Sequence, residues 1–434
     1  MLNIIILVAI IAAIAYGFIF KKNSGFIAIA FSFLIGCFLM GMKPSEVIAC
    51  WPIKVFFYVF AVTVFFNFSR QNGTLEKLSM KILYLFRERP KSLLFVLFFL
   101  NLLIAAMGVG NMPVEAMFAP IMIMVCAGAK MSYLMGALAV NFGSIAGANF
   151  ITSVNGMVFR SLIDEAGMPE LSLSIAFHIF IVSIISPLVI LLIYHFMQKR
   201  HEEGVQEKID IQKTKPFSAE QKRTLKLMAL MLAVVLSGPI VKFIFSSNAT
   251  VSSIFGKFDV SLIAMCFVVI ASMLGVGDEK KAIAGAPWGT LILISGVGML
   301  INIASKAGLM EVVANWVTGN IPTVLVPIAL VLIGAFMSFF SSTIGVVSPV
   351  IFPMLPDISS LTGLEPTILF VSLVIGAQAS SISPFSAAGS MLVSACTDEK
   401  TSAKLFKEQI LAIPFMVVMA LLASVVLMIL YGGV

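Results

Sequence analysis

Residues 143–156, GSIAGANFITSVNG, and residues 376–389, GAQASSISPFSAAG, decide the fold of this 434-residue chain. Each stretch interrupts a long apolar segment with glycine or proline and with hydroxyl or amide side chains. The register that aligns Gly143 with Gly376 also superimposes Pro120 on Pro353, Ala146 on Ala379, Ser153 on Ser386 and Gly156 on Gly389. Since glycine and proline interrupt helices, the pair predicts two broken helices, at 132–163 and 364–396, one in each half of an internal repeat.

The composition is typical of a helical membrane protein. Hydrophobic residues make up 60% of the chain and charged residues 11%, whereas soluble domains have roughly 45–50% and 25%. The apolar runs reach the roughly 20 residues that a helix needs to cross a bilayer, and alternating ten-residue barrel strands are absent. We therefore predict an all-α polytopic membrane protein.

Two apolar segments, residues 91–129 and 321–358, are nearly twice as long as one span and are broken midway. We predict that each is a re-entrant helical hairpin, with a first tip at GVGNMP (residues 108–113) and a second tip at SSTIGVVSP (residues 341–349). Non-helical backbone at membrane depth is tolerated where it is buried in protein or lines a cavity. Both tips are therefore expected to face a cavity.

The predicted domains are two repeats joined by a polar linker. They comprise a first repeat at 1–197 (scaffold 1–69, hairpin 91–129, broken helix 132–163), a cytoplasmic linker at 198–223, and a second repeat at 224–434 (scaffold 224–304, hairpin 321–358, broken helix 364–396). Each repeat has five crossings and one hairpin. Because five is odd, the two repeats are expected to insert with opposite orientation, as inverted repeats with broken helices at the midplane.

The distribution of Lys and Arg indicates the orientation in the membrane. Cytoplasmic loops carry an excess of these residues. With the N-terminus outside, all but six of the 28 basic residues lie in the inside segments, the exceptions being Lys43, Lys54, Arg160, Lys242, Lys257 and Lys306. We predict a multi-pass protein of the inner (plasma) membrane with both termini outside. The net charge of +7 then reflects contact with a lipid bilayer and requires no nucleic acid.

Several functional classes are disfavoured by the sequence. It contains no G-x-x-x-x-G-K-[ST] phosphate loop, no H-E-x-x-H zinc motif and no G-x-S-x-G nucleophile elbow. An ATP-driven pump and a membrane enzyme are therefore not expected. Pairs of Gly/Pro-interrupted segments at matching positions instead indicate the midplane site of a secondary transporter. Small-residue patches also let helices pack closely, so the symmetric set of four is more informative than any single residue.

Glu115 is an acidic residue inside an apolar segment, four residues after Asn111 of the first tip. An ionisable group within a span costs about 2.5–3.5 kcal/mol on insertion scales and often has a function. Three roles are open to Glu115: to bind a cation, to carry a proton, or to pair with a neighbour. No Lys or Arg falls in the tips or the helix breaks, so an anionic substrate would need helix N-termini, Asn, hydroxyl groups or bound cations as partners.

Four stretches resemble the malonate/dicarboxylate carriers of the MatC type. They are GMKPSEVIACWP (residues 41–52), QNGTLEKL (71–78), GVGNMPVEAMFAPI (108–121) and NFGSIAGANFITSVNGM (141–157). This family is similar to the wider ion transporter superfamily that contains the divalent anion:sodium symporters. The resemblance covers nearly the whole chain and is stronger in its first half.

The resemblance implies where substrate and cations bind. In the symporters, Ser-Asn-Thr tips contact the substrate carboxylate and form two Na⁺ sites with the following helix breaks. By position, the substrate-binding residues are Gly110, Asn111, Met112, Ser342, Thr343, Asn149 and Ser383. The candidate Na⁺ ligands are Asn111, Ala148, Thr152, Thr343, Ser381 and Pro384. Neither tip keeps the full Ser-Asn-Thr pattern, so the coupling ion, Na⁺ or H⁺, stays open.

The function that the resemblance implies is secondary active transport of a small carboxylate. The expected substrate is a three- or four-carbon dicarboxylate such as malonate or succinate, moved by cation-coupled symport with alternating access. The alternative is a cation:proton antiporter or an oxyanion exporter of the same superfamily, and Glu115 discriminates between these functions. Relatives with this architecture are commonly homodimers, so a homodimer is implied as well.

Overall fold

Helices form all of the regular secondary structure that the structure describes. The computed structural model describes residues 2–20, 22–88, 92–128, 130–198, 214–244, 250, 254, 257–339, 341–396 and 398–432. No β-strand occurs within these ranges, so the predicted all-α class is confirmed. Residues 91 and 129, which end the first predicted hairpin, and residues 199–213, most of the predicted linker, lie outside the described residues.

The described helices are mostly 10 to 32 residues long. In chain order they are α1 (Leu2–Phe20), α2 (Ser24–Phe33), α3 (Pro44–Ile48), α4 (Ile53–Gln71), α5 (Thr74–Phe86), α6 (Leu93–Ile104), α7 (Asn111–Gly128), α8 (Tyr133–Ala148), α9 (Val154–Glu165), α10 (Pro169–Gln198), α11 (Ala219–Ile244), α12 (Val260–Met273), α13 (Glu279–Ala284), α14 (Trp288–Lys306), α15 (Leu309–Asn320), α16 (Val326–Phe339), α17 (Ser348–Ile351), α18 (Leu355–Thr362), α19 (Pro366–Ala379), α20 (Ala387–Ser394) and α21 (Glu399–Leu430). Short π or 3₁₀ turns occur at Leu34–Leu39, Ala105–Val109, Thr323–Leu325, Thr343–Val347 and Phe352–Met354.

Polar side chains define where several helices begin. The side chain of Asn23 accepts a hydrogen bond from the backbone N–H of Gly25 (2.9 Å) at the start of α2. Ser132 accepts one from the N–H of Met135 (3.4 Å) at the start of α8. The first N–H groups of a helix have no partner within the helix, and such caps satisfy them.

Six of the described helices are long and apolar enough to cross a membrane, judged by length and composition. They are α4, α7, α10, α14, α21 and the segment Thr343–Thr362. A seventh is added if Leu309–Asn320 and Thr323–Phe339, which meet at a bend of 115°, form one broken span. Several shorter apolar helices accompany them, so the chain is a multi-pass membrane protein.

Packing divides the chain into two compact units. The first-tip unit comprises Phe57–Met157 and Pro187–Pro287, and contains the first tip and α8. The second-tip unit comprises Met1–Phe56, Val158–Ser186 and Trp288–Val434, and contains the second tip and α19. This division by packing differs from the division into sequence repeats, whose boundaries remain a prediction.

Corresponding helices begin at matching positions in the two halves of the sequence. The register that aligns Gly143 with Gly376 also aligns the first residues of α6 and α16 (Leu93, Val326), α8 and α19 (Tyr133, Pro366), and α9 and α20 (Val154, Ala387). The first residues of α4 and α14 (Ile53, Trp288), and of α5 and α15 (Thr74, Leu309), correspond with a slight offset from this register. The same order of helices therefore occurs twice along the chain.

Each unit contains a glycine that lets two helices approach each other closely. In the first-tip unit, a Cβ on Gly143 of α8 would overlap the carbonyl oxygen of Phe98 in α6. In the second-tip unit, a Cβ on Gly376 of α19 would overlap the carbonyl oxygen of Val331 in α16. Glycine is required at both positions because any side chain would push the two helices apart.

Candidate functional site

Glycines shape the first tip, where a π turn is followed by a sharp reversal. Gly108 has φ 104° and Gly110 has φ 83°, a region that glycine enters at little cost. A Cβ on Gly108 would overlap the ring of Phe66 in α4. The reversal starts α7 at Asn111, within the predicted tip at residues 108–113, and leaves its first N–H groups without partners inside the helix. Asn111 and Met112 are both half-buried.

The first break, residues 149–153, separates α8 from α9 and lies against the first tip. The hydroxyl of Ser153 donates to the carbonyl of Ala105 in the π turn of the tip, at 2.7 Å. Asn149 is fully buried, and its Oδ1 accepts from the Asn155 amide at 3.2 Å. The predicted residue Ala148 is buried as well. The structure thus brings the first tip and the first break together.

A buried carboxyl group lies between the first tip and α8. Glu115 in α7 has no exposed surface, and its Oε1 accepts from the Ser144 hydroxyl (2.6 Å) and the Asn141 amide (3.3 Å). Its Oε2 has no hydrogen-bond partner among the residues that the structure describes. Glu115 is therefore hydrogen-bonded to polar neighbours, and its role in transport stays a prediction.

Hydroxyl groups and a π turn form the second tip. Ser342 has an extended backbone, and its Oγ accepts from the N–H of Gly345 at 3.2 Å. The Oγ1 of Thr343 lies 3.2 Å from the Oγ of Ser338 in α16. Both residues that the resemblance indicates at this tip therefore carry hydroxyl groups at the break between α16 and the turn.

The second break, residues 380–386, separates α19 from α20 and is folded back on itself. The hydroxyl of Ser386 reaches the carbonyls of Ser381 (2.6 Å) and Ser383 (2.8 Å). Ser383 is fully buried, and its Oγ accepts from the N–H of Phe385 at 3.2 Å. Pro384 is also buried. The predicted residues of this loop therefore lie together within the second-tip unit.

The structure adds polar residues that the sequence does not single out. Asn141 and Ser144 bond Glu115, Asn155 bonds Asn149, and all three are buried, as is Asn101. Ser348 and Gln378 are buried in the second-tip unit. A polar residue in an apolar helix becomes informative only once its neighbours are known, because the same residue on another face would contact solvent or lipid.

The first break offers oxygen atoms that suit a cation. Among the described residues, Asn101 Oδ1, Thr152 Oγ1 and Asn155 Oδ1 are buried without a hydrogen-bond partner. A buried polar atom without a partner is costly. Hard cations take oxygen ligands, and unwound segments in transporters supply them. Of these three residues, Thr152 lies in the first break and is the one that the resemblance also implies as a Na⁺ ligand.

Comparisons with known structures identify the fold. The chain is similar to MtrF from Neisseria gonorrhoeae, described with a class of antimetabolite efflux pumps, at 15% identity and a TM-score of 0.56, covering 85% of this chain and 80% of that one. It is similar to the YdaH transporter of Alcanivorax borkumensis at 16% identity and a TM-score of 0.58, covering 89% and 88%. A search of curated proteins finds no match.

The fold and the paired helix breaks in apolar segments define the class: a multi-pass helical membrane protein with the fold of these two solved structures. A family model matches the first part of the chain. Residues 1–148 match the family described as dicarboxylate carrier protein MatC N-terminus. The resemblance inferred from the sequence motifs is thereby confirmed over this segment, which includes the first tip and Glu115.

Proposed function

We propose that this protein is a secondary transporter of a small dicarboxylate, such as malonate or succinate, driven by a co-transported cation. The observation that carries the proposal is the match of residues 1–148 to the dicarboxylate carrier family. The matched segment contains the first tip, the start of α7 and most of α8. The part of the chain that resembles these carriers is thus the part that holds the best-defined candidate site.

The geometry of the first tip supports binding of a carboxylate. The N-terminus of α7 has N–H groups without intrahelical partners and the positive end of the helix dipole, which together favour an anion. Asn111, the first residue of α7, adds an amide donor. At the second tip, Ser342 and Thr343 offer hydroxyl groups. Neutral donors of this kind suit a carboxylate that binds together with a cation.

Sodium is the coupling ion that the residues favour. The buried oxygens of Thr152 and Asn155, which lack hydrogen-bond partners among the described residues, support a Na⁺ site at the first break. The further ligands that the resemblance implies are Asn111, Ala148, Thr343, Ser381 and Pro384. Symport follows if binding of the cation and binding of the carboxylate stabilise each other, because the two are then transported together.

Alternating access by two inverted repeats is the transport mode that we propose. The recurrence of α6, α8 and α9 as α16, α19 and α20, all in one register, supports the repeat. The matched glycines Gly143 and Gly376, each against a hairpin carbonyl, support it independently. Transporters built from inverted repeats move substrate by rocking one repeat against the other around a fixed binding site. The re-entrant hairpins and the homodimer belong to the same proposal.

Uptake into proteoliposomes tests the function. Labelled malonate and succinate are supplied outside, with and without an inward Na⁺ gradient, to the wild type and to Asn111→Ala and Thr343→Ala. We expect Na⁺-dependent uptake by the wild type and at least about a tenfold loss in each variant, since a hydrogen bond to a charged group contributes about 1.5–3 kcal/mol.

Matched controls come from a helix outside the tips. Thr318 and Asn320 in α15 hydrogen-bond only carbonyls of their own helix among the described contacts, Ala314 O at 3.0 Å and Trp316 O at 2.7 Å. Thr318→Ala and Asn320→Ala should therefore transport like the wild type. Absence of malonate and succinate uptake under both Na⁺ and proton gradients would refute the proposal.

A cation:proton antiporter or oxyanion exporter is the second candidate, and the burial of Glu115 favours it. A carboxyl group with no exposed surface and an oxygen without a described partner suits reversible protonation during transport. An exporter would protect cells against a toxic anion, whereas an importer would support growth on a dicarboxylate. Resistance and growth assays in a transport-deficient strain therefore separate the two directions.

A further inference from the structure

A cavity of about 330 Å³ lies beside the first tip, within the first-tip unit. It is bounded by the end of α4, the first turn of α5, the π turn and the start of α7. Val109, Pro113 and Val114 connect it directly to the tip. One water molecule needs only about 10–15 Å³ of such volume, so the cavity has room for a small organic anion and several waters.

The cavity has a basic side chain, whereas the tips and breaks have none. Arg70 lines it and is exposed, and its guanidinium makes no ion pair or hydrogen bond with any residue that the structure describes. Arg87 offers a contrast, because its guanidinium bonds Tyr84 O (2.9 Å) and Glu88 (3.3 Å). The fork of an arginine side chain matches a carboxylate, and Arg70 has its donors available for one.

An acidic side chain in the same cavity reduces the positive potential that Arg70 creates. Glu76 lines the cavity and lies in the first turn of α5, where the helix dipole stabilises a carboxylate. Among the described residues, Glu76 forms no ion pair with Arg70, so the arginine is not neutralised by direct contact. The cavity therefore combines one available positive charge with a negative charge that lowers its attraction for anions.

We propose that this cavity, the Arg70 cavity, is a binding site through which a small dicarboxylate reaches the first tip, with Arg70 pairing with one of its carboxylate groups. The proposal rests on the proposed function, since it names the residue that pairs with the anion as it moves between the neutral donors of the tip and the predicted cytoplasmic side, where Arg70 lies. Glu76 sets the strength of that attraction. A fixed charge at the mouth of a cleft raises the local concentration of an oppositely charged substrate.

The test uses opposite charge changes in full-length protein reconstituted in proteoliposomes. Concentration dependence of labelled malonate transport is measured for Arg70→Gln, Arg70→Lys and Glu76→Gln, with transport assayed in both directions. We expect Arg70→Gln to raise KM about tenfold in the direction that loads this cavity, Arg70→Lys to raise it less, and Glu76→Gln to lower it. Each effect should shrink as ionic strength rises.

Arg87→Gln is the matched control, because it removes an arginine that already has partners and does not line the cavity. It should leave KM unchanged. A structural role for Arg70 would not give KM changes of opposite sign for Arg70→Gln and Glu76→Gln. Chromatographic profiles and melting temperatures of the detergent-solubilised variants identify any variant that fails to fold, and Glu76→Gln and Arg70→Lys then still decide the outcome.

Different results would refute the proposed function and the proposed role of the Arg70 cavity. If the wild type transports neither malonate nor succinate, the proposed function fails and the Arg70 cavity loses its ligand. If the wild type transports malonate and Arg70→Gln has the wild-type KM in both directions, the function stands and the role of the Arg70 cavity is refuted. A fall in maximal rate with unchanged KM would also refute it.

Discussion

Glu115 is the residue whose replacement best separates the candidate functions. Gln keeps an acceptor oxygen for Ser144 and Asn141 but cannot exchange a proton. Under Na⁺-driven symport we expect Glu115→Gln to change malonate uptake by less than about threefold, or under 1 kcal/mol. Glu115→Ala should lower stability by about 1–3 kcal/mol, because buried donors lose their acceptor. Uptake and melting temperature are measured for both.

The opposite result has a definite meaning at this residue. Loss of uptake in Glu115→Gln, with an unchanged melting temperature, would show that the proton itself is required and would favour the antiporter.

The sequence identifies Glu115 because a charge inside an apolar run is conspicuous. It does not identify Asn141 and Ser144, although their spacing of three residues places them on one helix face. Which face α8 turns toward α7 depends on packing, which the sequence does not state.

At the level of the helix breaks, two matched glycines allow the chain to fold back. A Cβ on Gly156 would overlap the carbonyl of Phe150, and a Cβ on Gly389 would overlap that of Ser383. We expect Gly156→Ala and Gly389→Ala each to lower stability by about 1–3 kcal/mol and to impair uptake. Gly319→Ala in α15 is the control, because a Cβ there meets nothing within 4 Å and alanine favours a helix. Melting temperatures of Gly156→Ala and Gly389→Ala equal to that of the wild type would contradict this.

The helix breaks are predictable from the sequence because glycine, proline and serine patches have local conformational preferences. The predicted loops at 143–156 and 376–389 contain the observed breaks at 149–153 and 380–386. The π turn before the first tip, Ala105–Val109, is not predicted, since its residues are ordinary in a helix and its shape depends on contacts with α4 and the first break. The Arg70 cavity is likewise formed by segments distant in sequence.

Across the whole molecule, the orientation of the repeats can be tested at two corresponding turns. Lys130 and Gly363 are equivalent in the register that aligns Gly143 with Gly376, and both have positive φ, at 51° and 73°. The distribution of Lys and Arg predicts Lys130 on the cytoplasmic side and Gly363 outside. After replacement of the five native cysteines, we expect a membrane-impermeant thiol reagent added to intact cells to label Gly363→Cys and not Lys130→Cys.

Permeabilised cells provide the control for this experiment, because both cysteines should then react. Labelling of both positions in intact cells would mean that the two turns face the same side, which an odd number of crossings per repeat forbids. The repeats would then be parallel, and transport by two inverted halves would have to be abandoned even if malonate uptake were observed. Labelling of Gly363→Cys alone would instead support five crossings per repeat and, with them, external termini.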